Sequence, residues 1–119
     1  MIETADELNI AILRELAEAP NANQRELARA TGVSLGKLNY ALRALIGKGW
    51  IKAGNFRRNP HKLDYAYLLT PTGIEAKARL TQAFLSRKLR EYDALQAEIS
   101  ALREELAASA YAMPSERAQ

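Results

Sequence analysis

Apolar residues recur every third or fourth position through the first part of the chain. Leu8, Ile12 and Leu16 are spaced by four, with Ala5, Ala11 and Leu13 beside them and Glu or Asn between, which predicts a helix over residues 6–18. Thr4 or Asp6 can cap its start, and Pro20-Asn21 ends it. Asn23-Gln24-Arg25-Glu26 then has the spacing of a capping box, opening a short helix that turns Leu27 and Ala28 inward and stops at Gly32. Ser34 offers a fresh cap two residues later. Leu38, Leu42 and Leu45, with Ala41 and Ile46, make the apolar stripe of a third helix ending at Gly47-Lys48-Gly49.

The period then changes from three or four to two. Trp50-Ile51-Lys52-Ala53 is strand-like, and Leu63 to Thr70 alternates, with Leu63, Tyr65, Tyr67 and Leu69 on one face. Between them, Asn55-Phe56-Arg57-Arg58-Asn59-Pro60-His61-Lys62 has the Asn, Pro and charge of a hairpin tip. Trp50 is expected as a core anchor under that hairpin. Thr70-Pro71-Thr72-Gly73 starts the last element, with Thr70 as cap and Pro71 at the first helical position, where its missing amide costs nothing. This helix is expected to run from about Pro71 to about Ala108, on the order of 55 Å.

A short helix, the tight connection Thr31-Gly32-Val33-Ser34 and a longer helix form a helix-turn-helix pattern, and the basic hairpin directly after it makes the arrangement a winged one. The expected fold is therefore mainly α with a small β-hairpin wing: a winged helix-turn-helix over residues 1–73, a long coiled-coil-like helix over 74–108 and a frayed tail over 109–119.

The long helix needs cover. Leu85, Tyr92, Ile99 and Leu106 fall seven apart at position a, and Leu95 and Leu102 fall at d, with Leu89 beside them. Thr81 and Lys88 are poor d residues, so the apolar seam is good only from about Leu89 onward. These seven side chains are the expected dimerisation surface. A parallel pair would set Glu98 against Arg103 of the second helix, whereas an antiparallel pair would gather Glu91, Glu98 and Glu105 on one flank. The charges lean towards parallel and leave both orientations open.

Composition removes whole classes. At 119 residues, 48% hydrophobic and 26% charged, the chain is of ordinary globular character with room for one core. With no cysteine there is no disulfide, thiol nucleophile or Cys-based zinc site, and the single histidine, His61, cannot build a histidine metal site. His61 is expected to be an exposed loop residue. There is no phosphate-binding glycine loop and no metal-ligand spacing, so neither an enzyme nor a cofactor is expected. The N-terminus is acidic where a signal peptide would be basic, and no apolar run approaches a membrane span, so a cytoplasmic protein with no membrane partner is expected.

The formal net charge of +3 hides a strong asymmetry: −3 over residues 1–32, +6 over 33–70 and 0 over 71–119. The basic segment holds both the third helix and the hairpin, and a polyanion responds to that local density more than to the total. On the third helix, the face opposite the leucines presents Ser34, Gly36, Lys37, Asn39, Tyr40 and Arg43. Arg or Lys can bond guanine, Asn can bond adenine, and Tyr can meet a phosphate or a thymine methyl. Tyr40 can also pack its ring on the helix edge, and Lys37 and Arg43 can form a solvated face. Gly36 leaves space where the helix would come closest to a groove. On the hairpin, Arg57, Arg58 and Lys62 would meet phosphate or the minor groove, or else keep an exposed edge soluble.

Gln24-Arg25-Glu26-Leu27-Ala28, Thr31-Gly32-Val33-Ser34, Leu38, Leu42, Leu45 and Lys48-Gly49-Trp50-Ile51 together resemble the winged helix-turn-helix regulators of the MarR type. Tyr67-Leu68-Leu69-Thr70-Pro71-Thr72-Gly73 resembles their strand-to-helix junction, L-x-L-T-x-x-G, with Tyr67 in place of the first leucine. Val33 to Tyr40, Lys48-Gly49-Trp50 and Tyr65 to Pro71 resemble, more closely, a bacterial subgroup associated with exopolysaccharide (EPS) biosynthesis genes. The likeness runs from about residue 6 to about 106. It implies a transcriptional regulator that binds double-stranded DNA, usually as a homodimer. Typical members are longer, dimerise through both termini and hold a small-molecule cleft. Here the N-terminal extension is nearly absent, which shifts dimerisation onto residues 74–106 and leaves any effector unknown. The competing reading is a winged-helix adaptor for other proteins, which would have no need of basic residues on both third helix and hairpin.

Overall fold

The computed structural model describes residues 4–54 and 65–112, in the order α1 (Ala5–Glu18), α2 (Gln24–Thr31), α3 (Leu35–Gly47), β1 (Ile51–Gly54), β2 (Ala66–Leu69) and α4 (Pro71–Ala112). The expected winged helix-turn-helix with a long last helix is the fold observed. The chain divides into two compact units, Met1–Gln82 and Ala83–Gln119.

Every helix begins at a side chain that satisfies an otherwise orphaned amide. The Thr4 hydroxyl accepts from the Glu7 amide at 3.1 Å, and the Ser34 hydroxyl accepts from the Lys37 amide at 3.2 Å. Asn23 and Glu26 complete a reciprocal capping box, 2.9 Å in each direction. Thr70 Oγ1 accepts from the Gly73 amide at 3.0 Å. Between α2 and α3, Gly32 sits at φ 74°, a left-handed conformation that glycine adopts without a Cβ penalty. The turn therefore closes in the few residues the sequence allows, and α3 leaves it at a fixed angle.

The first unit has one core. Leu8, Ile12, Leu13 and Leu16 of α1 pack with Leu27 of α2, Leu38, Leu42 and Leu45 of α3, Ile51 of β1 and Tyr67 of β2, all of them buried. Trp50 lies half-buried against this cluster, as expected of an anchor under the hairpin. The helical stripes of the sequence are largely these residues, with three differences. Ile10 is buried although it lies off the α1 stripe, Ile46 is 41% exposed although it lies on that of α3, and Ala5 is exposed.

β1 and β2 pair antiparallel from Ile51–Leu69 to Gly54–Ala66. A third segment joins them where no strand is expected. Tyr67 exchanges backbone hydrogen bonds with the α1–α2 connection, accepting from the Asn21 amide at 3.1 Å and donating to the Ala22 carbonyl at 3.0 Å. Asn21 takes φ 70° there, a conformation asparagine tolerates better than most residues. The described part of β2 is shorter than the expected run from Leu63. Tyr67 is buried and Tyr65 and Leu69 are half-buried, but Ala66 is buried as well, so this strand is covered on both faces. α4 runs past Ala108 into the expected tail. Ala107-Ala108-Ser109-Ala110 carries good helix formers, and the first obstacle is Pro114, which disfavours helix in the residue before it.

One side-chain hydrogen bond ties α2 to the sheet. Gln24, 2% exposed, donates from Nε2 to the Tyr67 hydroxyl at 2.9 Å. Removing that hydroxyl leaves a buried amide with an unmet donor. Tyr67→Phe is therefore expected to lower the stability by about 1–3 kcal/mol, read as a shift of the urea midpoint at unchanged slope.

Candidate nucleic-acid interface

The core fixes how α3 is presented. Leu38, Ala41, Leu42 and Leu45 are buried, so the opposite face of the helix is turned to solvent. At 100° per residue, Tyr40 lies within about 30° of the centre of that face. Lys37 and Arg43 lie about 60° to either side of it, Gly36 and Ala44 about 40° and Gly47 about 20°. All of these residues are exposed, and Tyr40 is 79% exposed. Asn39 stands about 100° from Tyr40, on the shoulder of the helix, and is half-buried.

Ser34 sits at the start of this face with its oxygen engaged by the Lys37 amide, so the hydroxyl proton remains to offer outward. A Cβ placed on Gly36 would meet nothing within 4 Å, which leaves the first turn of α3 free for close approach. The expected α3 set therefore divides: Gly36, Lys37, Tyr40 and Arg43 share the exposed face, Ser34 is exposed at the cap before the helix, and Asn39 flanks the face. Arg57, Arg58, Lys62 and His61 lie outside the described residues.

The electrostatics are one-sided. From Val33 to Gly54 the chain carries Lys37, Arg43, Lys48 and Lys52 and no carboxylate. Lys48, at the end of α3, holds its ammonium 4.5 Å from the centre of the Trp50 ring. A cation over an aromatic face is fixed in position without losing its charge. The sequence marks Lys48 by the local charge excess and the Lys48-Gly49-Trp50 motif; its placement over the half-buried Trp50 needs the fold.

The junction behind the hairpin is held as tightly as the turn before α3. Thr70 donates from its hydroxyl to the Gly49 carbonyl at 2.5 Å and from its amide to the Trp50 carbonyl at 3.0 Å. One residue thus caps α4 and fastens it to the α3–β1 connection. The threonine and glycine of the junction motif are accordingly packing residues.

In the second unit, all described residues from Lys88 to Ser109 are exposed. Leu85, Leu89, Tyr92, Leu95, Ile99, Leu102 and Leu106 are each between 39% and 70% exposed. Gln96 Nε2 donates to the Tyr92 hydroxyl at 2.8 Å, and Lys88 pairs with Glu91 at 3.2 Å. Such half-exposed contacts along one helix face are worth a few tenths of a kcal/mol, ~0.5 at most. Among the described residues no cluster of three metal-ligating side chains occurs, and no helix is long and apolar enough to cross a membrane.

Residues 6–52 match the family of winged helix-turn-helix DNA-binding domains. The chain is 31% identical over 93 residues to an HTH-type transcriptional regulator, LrpA, of Pyrococcus horikoshii, covering 78% of this chain. It spans 62% of that relative's length. Among solved structures, the transcriptional repressor CouR bound to a 23-mer DNA duplex superimposes with a TM-score of 0.60 at 25% identity, over 85% of this chain and 71% of that one. Staphylococcus aureus MarR, in complex with salicylate and kanamycin, gives a TM-score of 0.59 at 19% identity, over 81% and 67%. The second likeness is one of fold. The α3 face described above thus lies within the segment that matches winged helix-turn-helix DNA-binding domains, in a fold shared with MarR-type proteins.

Proposed function

We propose that this winged helix-turn-helix protein is a sequence-specific DNA-binding transcriptional regulator of the MarR type. It acts as a homodimer joined through α4, with genes of exopolysaccharide biosynthesis as its targets. The observation that carries the reading is the exposed face of α3, which is basic, free of carboxylates and backed by a rigid leucine core. α3 would enter the major groove, and the two copies in a dimer would address successive grooves of a near-palindromic site. Arg57, Arg58 and Lys62 of the wing, with Lys37 and Arg43, would neutralise phosphates and supply most of the affinity. The similarity to a DNA-bound repressor supports the docking mode. The target genes rest on the motif resemblance, and the genes neighbouring this one are the direct check on them.

Gel shifts with DNA fragments from upstream of those genes, at low and at moderate salt, test the reading. Binding should weaken steeply with salt. Arg57→Ala with Arg58→Ala removes up to four phosphate contacts per dimer. It should flatten the slope of log affinity against log salt by about 3 to 4 and weaken binding to all sequences alike. An unchanged affinity and slope would remove the wing from the interface. Absence of any shift at low salt would favour the adaptor reading instead.

A further inference from the structure

The geometry points to Tyr40 as the residue that reads sequence: we propose that its ring packs on the C5-methyl group of a thymine in the major groove. The inference rests on the DNA-binding reading and names the chemical feature that this site selects. Tyr40 lies opposite the core, with Leu38 and Leu42 each about 160° away around the helix. Its nearest neighbours around the outward face are Gly36, Ala44 and Gly47, each within about 40° of it, so no side chain beside it is longer than a methyl group. The ring therefore stands clear of the helix surface and reaches furthest into whatever α3 enters.

Packing of the ring on its own helix is disfavoured by its 79% exposure, the highest among the large apolar side chains of the described residues. No described residue engages its hydroxyl in a hydrogen bond. Lys37 and Arg43, about 60° to either side, are placed for the phosphates or guanines that border the groove. That leaves the middle of the contact to an aromatic ring. The thymine methyl is the apolar group in the major-groove pattern of the four base pairs. Asn39, on the half-buried shoulder, is less well placed for the groove floor.

The test uses the full-length protein and a duplex selected by it from a random-sequence pool. Each thymine in that duplex is replaced in turn by deoxyuridine, which removes the methyl and preserves every hydrogen-bonding group. One buried methyl corresponds to about a fourfold loss of affinity, and the same change in both half-sites to about fifteenfold. The expected result is such a loss at one or two positions per half-site for the wild type and for Tyr40→Phe, and none for Tyr40→Ala. Two results would overturn the assignment: wild-type binding indifferent to every such replacement, or methyl sensitivity that persists in Tyr40→Ala. A Tyr40→Phe variant as insensitive as Tyr40→Ala would also overturn it, because the hydroxyl would then be making the contact, as with a phosphate. If the wild type selects no duplex at all, the DNA-binding reading itself has failed.

Discussion

Gly73→Ala is expected to destabilise the protein by about 3 kcal/mol or more, the largest effect of a methyl added at any of its glycines. Gly73 is buried in the first turn of α4, and a Cβ built on it falls inside the van der Waals shell of the Trp50 carbonyl oxygen. It would also lie 2.8 Å from the carbonyl carbon and 3.2 Å from the Trp50 Cα. The opposing group is backbone and cannot rotate away. Displacing it would strain the hydrogen bond that the same carbonyl accepts from the Thr70 amide at 3.0 Å, and with it the Thr70 hydroxyl bond to Gly49. Overpacking of this kind costs ~1–3 kcal/mol, and loss of the hydrogen bond from the half-buried Thr70 amide adds about 0.5–1.5. The check is urea denaturation beside Gly36→Ala. Gly36 is also in a helix, but a Cβ there meets nothing within 4 Å, so that variant should be unchanged or stabilised by up to ~1 kcal/mol. Equal midpoints for the two variants would refute the close approach.

Gly73 also marks the boundary of what the sequence reveals. The helix starts are legible because each cap is a local pattern: Asn23 with Glu26, Ser34 before an apolar stripe, Thr70 before Pro71. The order of elements follows, as does the basic face of α3, since burying Leu38, Leu42 and Leu45 dictates what remains outside. Contacts between residues distant along the chain leave no such trace. The Gln24–Tyr67 hydrogen bond joins positions 43 apart, and nothing near Gln24 distinguishes it from an ordinary capping-box residue. Likewise Gly73 is the end of a motif in the sequence, whereas its reason is the carbonyl of Trp50, well before it in the chain. The site shows the same division. Charge and stripe place Lys37, Tyr40 and Arg43 together, but the half-burial of Asn39 depends on how the core holds α3.

Leu95→Glu combined with Leu102→Glu is expected to convert the protein to a monomer and to weaken DNA binding by more than about 100-fold. Leu95 and Leu102 are 54% and 53% exposed, in the middle of a stripe that runs from Leu85 to Leu106 along one face. A helix segment exposed from Lys88 to Ser109 has no packed face of its own, and in proteins most helical stability comes from packing such a face. Pairing with a second copy would bury the stripe and stabilise the helix together. Each leucine buried in such a seam contributes roughly 1.5–3 kcal/mol. The double variant removes two from each chain and sets four carboxylates into the apolar layer, where unpaired charge is strongly disfavoured. DNA binding falls with it because the second half-site is engaged at an effective concentration set by the dimer, on the order of millimolar, and a monomer forfeits that gain. Light scattering should report half the wild-type mass, and far-UV circular dichroism should lose part of its helical signal. The urea midpoint of the first unit should stay in place, because the core built around Ile12, Leu42 and Leu45 is untouched. A variant that keeps the dimeric mass, or a wild type that is already monomeric at micromolar concentration, would refute assembly through this face.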